Sequence, residues 1–102
     1  MAKSRIELQN LLEGILGTRN VYYQPPESIR MEFPAIIYSL NRIKNNHADN
    51  SVYIKNKEYE LTVIDWDPES EIIEKVLELP FCRFDRSYKA DDLNHFVFTL
   101  NY

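Results

Sequence analysis

The stretch KEYELTVIDWDPESEIIEKVLELP, residues 57–80, changes its period halfway along. From Lys57 to Asp65 the residues alternate, with Tyr59, Leu61 and Val63 on one side and Glu58, Glu60 and Thr62 on the other. That is the pattern of a strand with one buried face. Beyond Asp67-Pro68 the apolar residues Ile72, Ile73, Val76 and Leu77 fall at helical spacing, and Pro80 stops the run. The junction holds four carboxylates in seven residues, Asp65, Asp67, Glu69 and Glu71. Such a density raises the question of acid chemistry. Local structure answers most of it. The spacing predicts Asp67 as the helix N-cap, Pro68 at the first helical position, and Glu69 and Glu71 in the first turn, where acids complement the helix dipole. Asp65 alone is left over. A catalytic or metal reading needs a convergent third group such as His95 or Asp85, and on that reading the chain is a small acidic metal-dependent hydrolase using Asp65, Asp67 and His95.

Upstream, Ser4-Arg5-Ile6-Glu7 has the S-x-x-E spacing of a capping box. Leu8, Leu11, Leu12, Ile15 and Leu16 then form one helical stripe, which Gly17 closes. Residues 20–24 (NVYYQ) read as a short strand halted by Pro25-Pro26. After an irregular stretch, Ala35 to about Ile43 is a β-branched and aromatic strand with Ile36, Tyr38 and Leu40 on one face. Residues 44–56 (KNNHADNSVYIKN) are polar and rich in Asn. They form either a loop or the flared tip of a long hairpin in which Val52-Tyr53-Ile54 pair. Residues 81–88 and 94–102 form a last hairpin around Lys89-Ala90-Asp91-Asp92. In its second strand Phe96, Phe98, Leu100 and Tyr102 share a face with Asn94, and His95, Val97, Thr99 and Asn101 share the other.

The order is therefore α-β-β-β-α-β-β in a single domain, residues 1–102. Hairpins dominate, so the expected fold is α+β, a two-layer sandwich of a mainly antiparallel sheet with two helices on one face. The opposite face would show Glu58, Glu60, Thr62, His95, Thr99 and Asn101.

Composition narrows the function classes. With 44% apolar and 27% charged residues the 102-residue chain is an ordinary globular domain. A net charge of −4 argues against a protein that grips phosphate backbones. No apolar run is long enough to span a membrane, and residues 1–5 lack the apolar stretch of a signal peptide. The single cysteine, Cys82, cannot form an internal disulfide, which suits a reducing compartment. Its neighbour Arg83 would favour a reactive thiolate, whereas flanking Phe81 and Phe84 favour a buried, inert thiol. Two glycines exclude a phosphate-cradling loop, and one cysteine with the distant His47 and His95 makes a poor zinc set. No motif points to an enzyme, a cofactor or a resident metal. Seven tyrosines suit either strands or surfaces that become interfaces. The hairpin RFDRSYKADD (83–92) is likewise either a solvated edge or an electrostatic lock between subunits.

Four stretches, YYQPP (22–26), MEFPAIIYSL (31–40), YELTVIDWDPES (59–70) and LPFCRFDRSYKADDLNHFVFTLNY (79–102), resemble the small tail-completion proteins of siphophages and Gram-positive prophages, the tail terminators often labelled minor capsid proteins. The resemblance spans Tyr22 to Tyr102 and is most specific from Cys82 onward. It implies a homo-oligomer, a hexameric ring that caps the head-proximal end of the tail tube, ends tube polymerisation and offers a docking surface to the head connector. A head-closure or head–tail joining role is the nearest variant. The implied partners are the tail tube protein and head–tail connector proteins, with DNA passing the channel without specific binding and no membrane contact. The implied location is the virion tail, reached from the host cytoplasm during assembly. No family motif is catalytic. The residues expected at subunit or partner interfaces are Tyr22, Tyr23, Tyr53, Trp66, Arg83, Asp85, Arg86, Tyr88 and His95.

Overall fold

From Tyr59 to Val63 in the middle strand of the sheet every second side chain is apolar, and that face carries both helices. The computed structural model describes residues 5–26, 29–48 and 51–102, with side chains placed for 5–26, 29–42 and 57–102. The predicted Ser4 cap of the first helix lies outside the described residues. The elements are α1 (Arg5–Leu16), β1 (Val21–Tyr23), β2 (Ala35–Ala48), β3 (Ser51–Asp65), α2 (Glu71–Leu77), β4 (Cys82–Ala90) and β5 (Leu93–Asn101), the order expected. They form an α+β sandwich around a five-stranded sheet of order β1-β2-β3-β5-β4. Three pairings are antiparallel, and β1 lies parallel to β2.

One core fills the space between sheet and helices. Leu8 and Leu12 of α1 and Val76 of α2 are fully buried against Ile36, Tyr38, Tyr59, Leu61, Val63 and Phe98 of the sheet. Each such apolar side chain contributes roughly 1.5–3 kcal/mol by leaving water. Tyr38 carries a polar tip into this layer and finds partners for it. Its hydroxyl donates to Gln9 Oε1 at 2.5 Å and accepts from Arg5 at 3.3 Å. Gln9 Nε2 in turn donates to the Val21 carbonyl at 3.0 Å. One side chain thus ties α1 to both β1 and β2. Gly17 ends α1 at φ +82°, a left-handed position open to glycine, and its N–H donates to the Glu13 carbonyl at 2.8 Å.

The start of α2 departs from the sequence reading. Asp67 is not its N-cap, Pro68 is not its first residue, and Glu69 lies outside it. The cap is Ser70, whose hydroxyl accepts from the Ile72 N–H at 3.3 Å, with Glu71 and Glu74 in the first turn. Asp65 and Asp67 build the approach instead. Asp65 Oδ1 accepts from the Asp67 N–H at 3.1 Å, and Asp67 Oδ1 accepts from the Glu69 N–H at 2.9 Å. Each is an aspartate side chain bonding two residues ahead, the same chemistry as a cap but used in a turn. Leu77, predicted in the buried stripe, is at the surface (44% exposed), and Leu79 packs on the core beyond the helix end.

The last hairpin closes more tightly than its sequence suggests. Strand pairing continues to Ala90↔Leu93, leaving only Asp91 and Asp92 in the turn, at φ +52° and +62°. Two successive positive φ values match the right-handed twist of the paired strands, and aspartate tolerates them better than most residues do.

Candidate functional site

The most distinctive feature of the molecule is the reach of the β2–β3 hairpin. The polar stretch 44–56 is not a loop: the strands pair through Lys44↔Asn56, Asn46↔Ile54 and His47↔Val52 to Ala48↔Ser51. Among the described residues neither strand has another neighbour there. On one side β5 ends where Tyr102 and Lys57 exchange backbone hydrogen bonds, at 2.8 and 3.5 Å. On the other, β1 ends at Tyr23↔Tyr38, and Gln24 Oε1 accepts the Leu40 N–H at 3.1 Å. Beyond these points the hairpin runs alone for roughly 20 Å at the usual strand rise. The chain accordingly measures 51 × 26 × 23 Å, with a radius of gyration of 14.7 Å. A compact domain of this size is nearer ~13 Å.

A β-bulge fastens the arm at its root. The register slips between Leu40 and Arg42, so Asn41 and Arg42 both face Glu58. Asn41 Nδ2 donates to Glu58 Oε2 at 2.9 Å, and Arg42 Nε lies 3.1 Å from the same oxygen. Glu58 is only 3% exposed. Alternation had placed it on an open polar face. Its burial is the consequence of a bulge that no sequence pattern announces. A second slip, between Asn46 and His47, leaves Tyr53 as the extra residue of β3; its side chain lies outside those described.

The sheet face away from the helices is less polar than the sequence reading had it. Glu60, Thr62, Thr99, Asn101 and His95 are half-buried there, but Ala35, Ile64 and Val97 are almost fully buried among them. Against this face His95 stacks on Tyr88, ring centroids 4.7 Å apart and 13° from parallel, with His95 Nδ1 3.1 Å from the Leu93 carbonyl oxygen.

The two edges of the sheet differ. The β1 edge is three residues long. Tyr22 accepts the Glu32 N–H there at 3.4 Å. Tyr23 turns toward the helix layer, 4.9 Å from the Tyr38 ring and beneath the Arg5 guanidinium at 4.6 Å. The β4 edge is nine residues long and exposed along almost its whole length. Its register slips at Asp85, between Phe84 and Arg86. Before the slip Cys82 and Phe84 face the helix layer, Phe84 edge-on to Phe98 at 5.5 Å; after it Arg86 and Tyr88 face the other way. Asp85 and Arg86 form a 2.6 Å ion pair in which both side chains are about half exposed, so it contributes little to stability. Charges and a bulge on an exposed edge discourage indiscriminate strand pairing.

Of the predicted interface residues, Arg83, Asp85, Arg86, Tyr88 and His95 come together on and beside the β4 edge. Tyr22 and Tyr23 lie on the opposite edge, and Trp66 stands at the end of the sheet far from the arm. Trp66 is 60% exposed, and its ring meets Phe33 edge-on, at 6.1 Å and 77°. The trio Asp65, Asp67 and His95 is not assembled into a centre. Two of its carboxylates hold turn N–H groups, and the register sets Asp65 beside Asn94 while His95 lies beside Ile64 on the other face. Among the described residues no group of three His, Cys, Asp or Glu side chains could hold a metal ion. Burial pushes the Cys82 thiol above its ordinary pKa, and strand alternation puts Arg83 on the opposite face. The arm root Asn41–Arg42–Glu58 was missed by sequence reasoning. The available signal was a glutamate at the inner end of an Asn-rich hairpin.

Comparison of the chain with protein-family models, with curated proteins and with solved structures gives no match.

Proposed function

We propose that this protein is a structural virion component of the tail-terminator type, assembling as a ring that caps the head-proximal end of a phage tail tube. The observation that carries the reading is the combination of a free two-stranded arm with two unlike sheet edges. A ring needs a heterologous contact, made by two different patches on each subunit. The short β1 edge with Tyr22 and the long charged β4 edge with Arg83, Asp85, Arg86 and Tyr88 are two such patches. The arm is a third element able to reach past the body of its own subunit. The element order and the resemblance of residues 22–102 to tail-completion proteins point the same way. The balance of −4 suits a channel that passes DNA without holding it. The partners on this reading are copies of the chain itself, the tube protein and a head connector.

The test is tube assembly in the presence of the purified chain. The expected result is tubes that stop growing, with ring-shaped density at one end in negative stain. Tube growth at an unchanged rate and length, with the chain left in the supernatant, would sink the proposal. A head-closure protein would instead leave tubes untouched and bind isolated connectors, so a connector pull-down separates the two roles.

A further inference from the structure

Strand register gives the molecule two poles. At one end of the sheet lie Glu58↔Asn101 and Cys82↔Leu100, and the arm leaves from there. At the other end lie Ala35↔Ile64, Asp65↔Asn94 and the Asp91-Asp92 turn. Formal charge is divided between them. Residues 42–58 carry four bases, Arg42, Lys44, Lys55 and Lys57, against two acids, Asp49 and Glu58, the second already paired with Arg42, in a chain whose total is −4. The far end gathers Asp65, Asp67, Glu69, Glu71, Asp91 and Asp92; the bases closest to these acids along the chain are Lys89, two residues before Asp91, and Lys75, four after Glu71. Within that acidic rim an exposed tryptophan packs against a half-buried phenylalanine. Asn94 Nδ2 donates to the Trp66 carbonyl at 3.0 Å and to the Asp65 carbonyl at 3.3 Å, which fixes the loop while the Trp66 indole stays 60% exposed beside Phe33. A positioned, uncovered tryptophan ringed by polar groups is the usual form of an interface anchor.

We propose that the basic β2–β3 arm of one copy docks over the Phe33–Trp66 pair at the acidic pole of the next copy. The occupant is a second copy because the chain itself supplies the complementary charge, and because the arm is long enough to cross a neighbour. Its roughly 20 Å length is close to the 26 × 23 Å cross-section of the molecule. A lone two-stranded hairpin is marginally stable in water, so the arm gains by lying against a surface. Arm and pole lie at opposite ends, so the contact is head-to-tail. It repeats from copy to copy and closes into a ring when its rotation permits. This inference rests on the ring-forming reading above and names the contact that holds the ring.

Sedimentation velocity of the full chain and its charge-reversed variants tests it. The wild-type chain is expected to associate at low ionic strength and to dissociate as salt screens the poles. Reversing the arm (Lys44→Glu with Lys55→Glu) or the pole (Glu69→Lys with Glu71→Lys) should each weaken association by roughly tenfold or more. An equimolar mixture of the two variants should associate again, since each then offers the other a matching arm and pole; re-association also shows that both have folded. Trp66→Ala should weaken association to a similar degree at an unchanged melting temperature. A wild-type chain that stays monomeric at every salt concentration overturns the proposal, as do reversals without effect or a mixture that stays apart. If the reversed variants still cap tubes, the arm contact is wrong and the capping role stands. If the swaps behave as expected but no tube is capped, the contact stands and the capping role falls.

Discussion

The two hairpins of this sheet are built on opposite plans. The β4–β5 hairpin closes in two residues, level with the body, and its second strand puts Phe96, Phe98 and Leu100 into the core. The β2–β3 hairpin shares its inner half with that core, through Tyr38, Tyr59, Leu61 and Val63, then leaves the body as a two-stranded arm. A strand is held by its neighbours and by what its side chains bury. β5 has a neighbour on each side along its whole length, whereas beyond Lys57 β2 and β3 have only each other among the described residues. Folding energy is therefore concentrated at one end of β3, and the other end is left free to act on something else.

The contrast predicts where substitution hurts. Phe98→Ala removes a fully buried ring and its edge-on contact with Phe84, and should cost about 3–5 kcal/mol in urea denaturation. At the arm root, Glu58→Ala removes the acceptor shared by Asn41 and Arg42, which are themselves exposed and can turn to water, and should cost about 0.5–1.5 kcal/mol. Glu58→Gln, which keeps an acceptor oxygen, should cost less; equal losses for both would mean that the hydrogen bond to Asn41 plays no part.

High pH attacks the shared core of both hairpins. Burial raises the pKa of Tyr38 and of Tyr59 above the ordinary tyrosine value of 10.0. The folded state therefore holds these protons more tightly than the unfolded chain. The resulting stability is fully present below pH ~10 and is lost as pH rises through the folded-state values. Melting temperature should fall steeply above pH ~10 in the wild type, and less steeply in Tyr59→Phe. Matching slopes would rule out Tyr59 as a source of the alkaline loss.

Smaller effects sharpen the difference in turns. Replacing Asp91-Asp92 by Asn-Gly relieves the positive-φ positions and should raise stability by about 0.5–1 kcal/mol. Smallest of all, replacing residues 45–55 by a two-residue Asn-Gly turn between the paired Lys44 and Asn56 should move the unfolding free energy of the body by less than about 0.5 kcal/mol, because none of the described core residues lies there. A large loss there would mean that the arm folds back onto its own subunit.

Much of this architecture was legible in the chain. The stripe Leu8, Leu11, Leu12, Ile15, Leu16, in which Leu11 at the margin came out exposed, and the alternation Tyr59, Leu61, Val63 each have a single period, and period is a local property. Element order and the α+β class followed from them. The interface candidates were legible only as residue types: Tyr23 turned out to pack inward while Tyr88 and His95 stack outside, because alternation assigns faces only after bulges have been counted. Asp85 and Asn41 sit at such bulges. Each shifts the register by one residue, and neither is marked by a glycine.

The sequence by itself determined the order and kind of the elements, though not the strand character of 44–56, because amphipathic period and turn chemistry act within a few residues. Tertiary structure alone decided that β1 runs parallel to β2, that Ser70 rather than Asp67 caps α2, and that the β2–β3 hairpin outruns its neighbours. Asp67 and Ser70 are both competent caps. The choice fell to the position at which Ile72, Ile73 and Val76 can settle over the sheet. The arm exists because β1 and β5 end early, a fact written in other strands than its own.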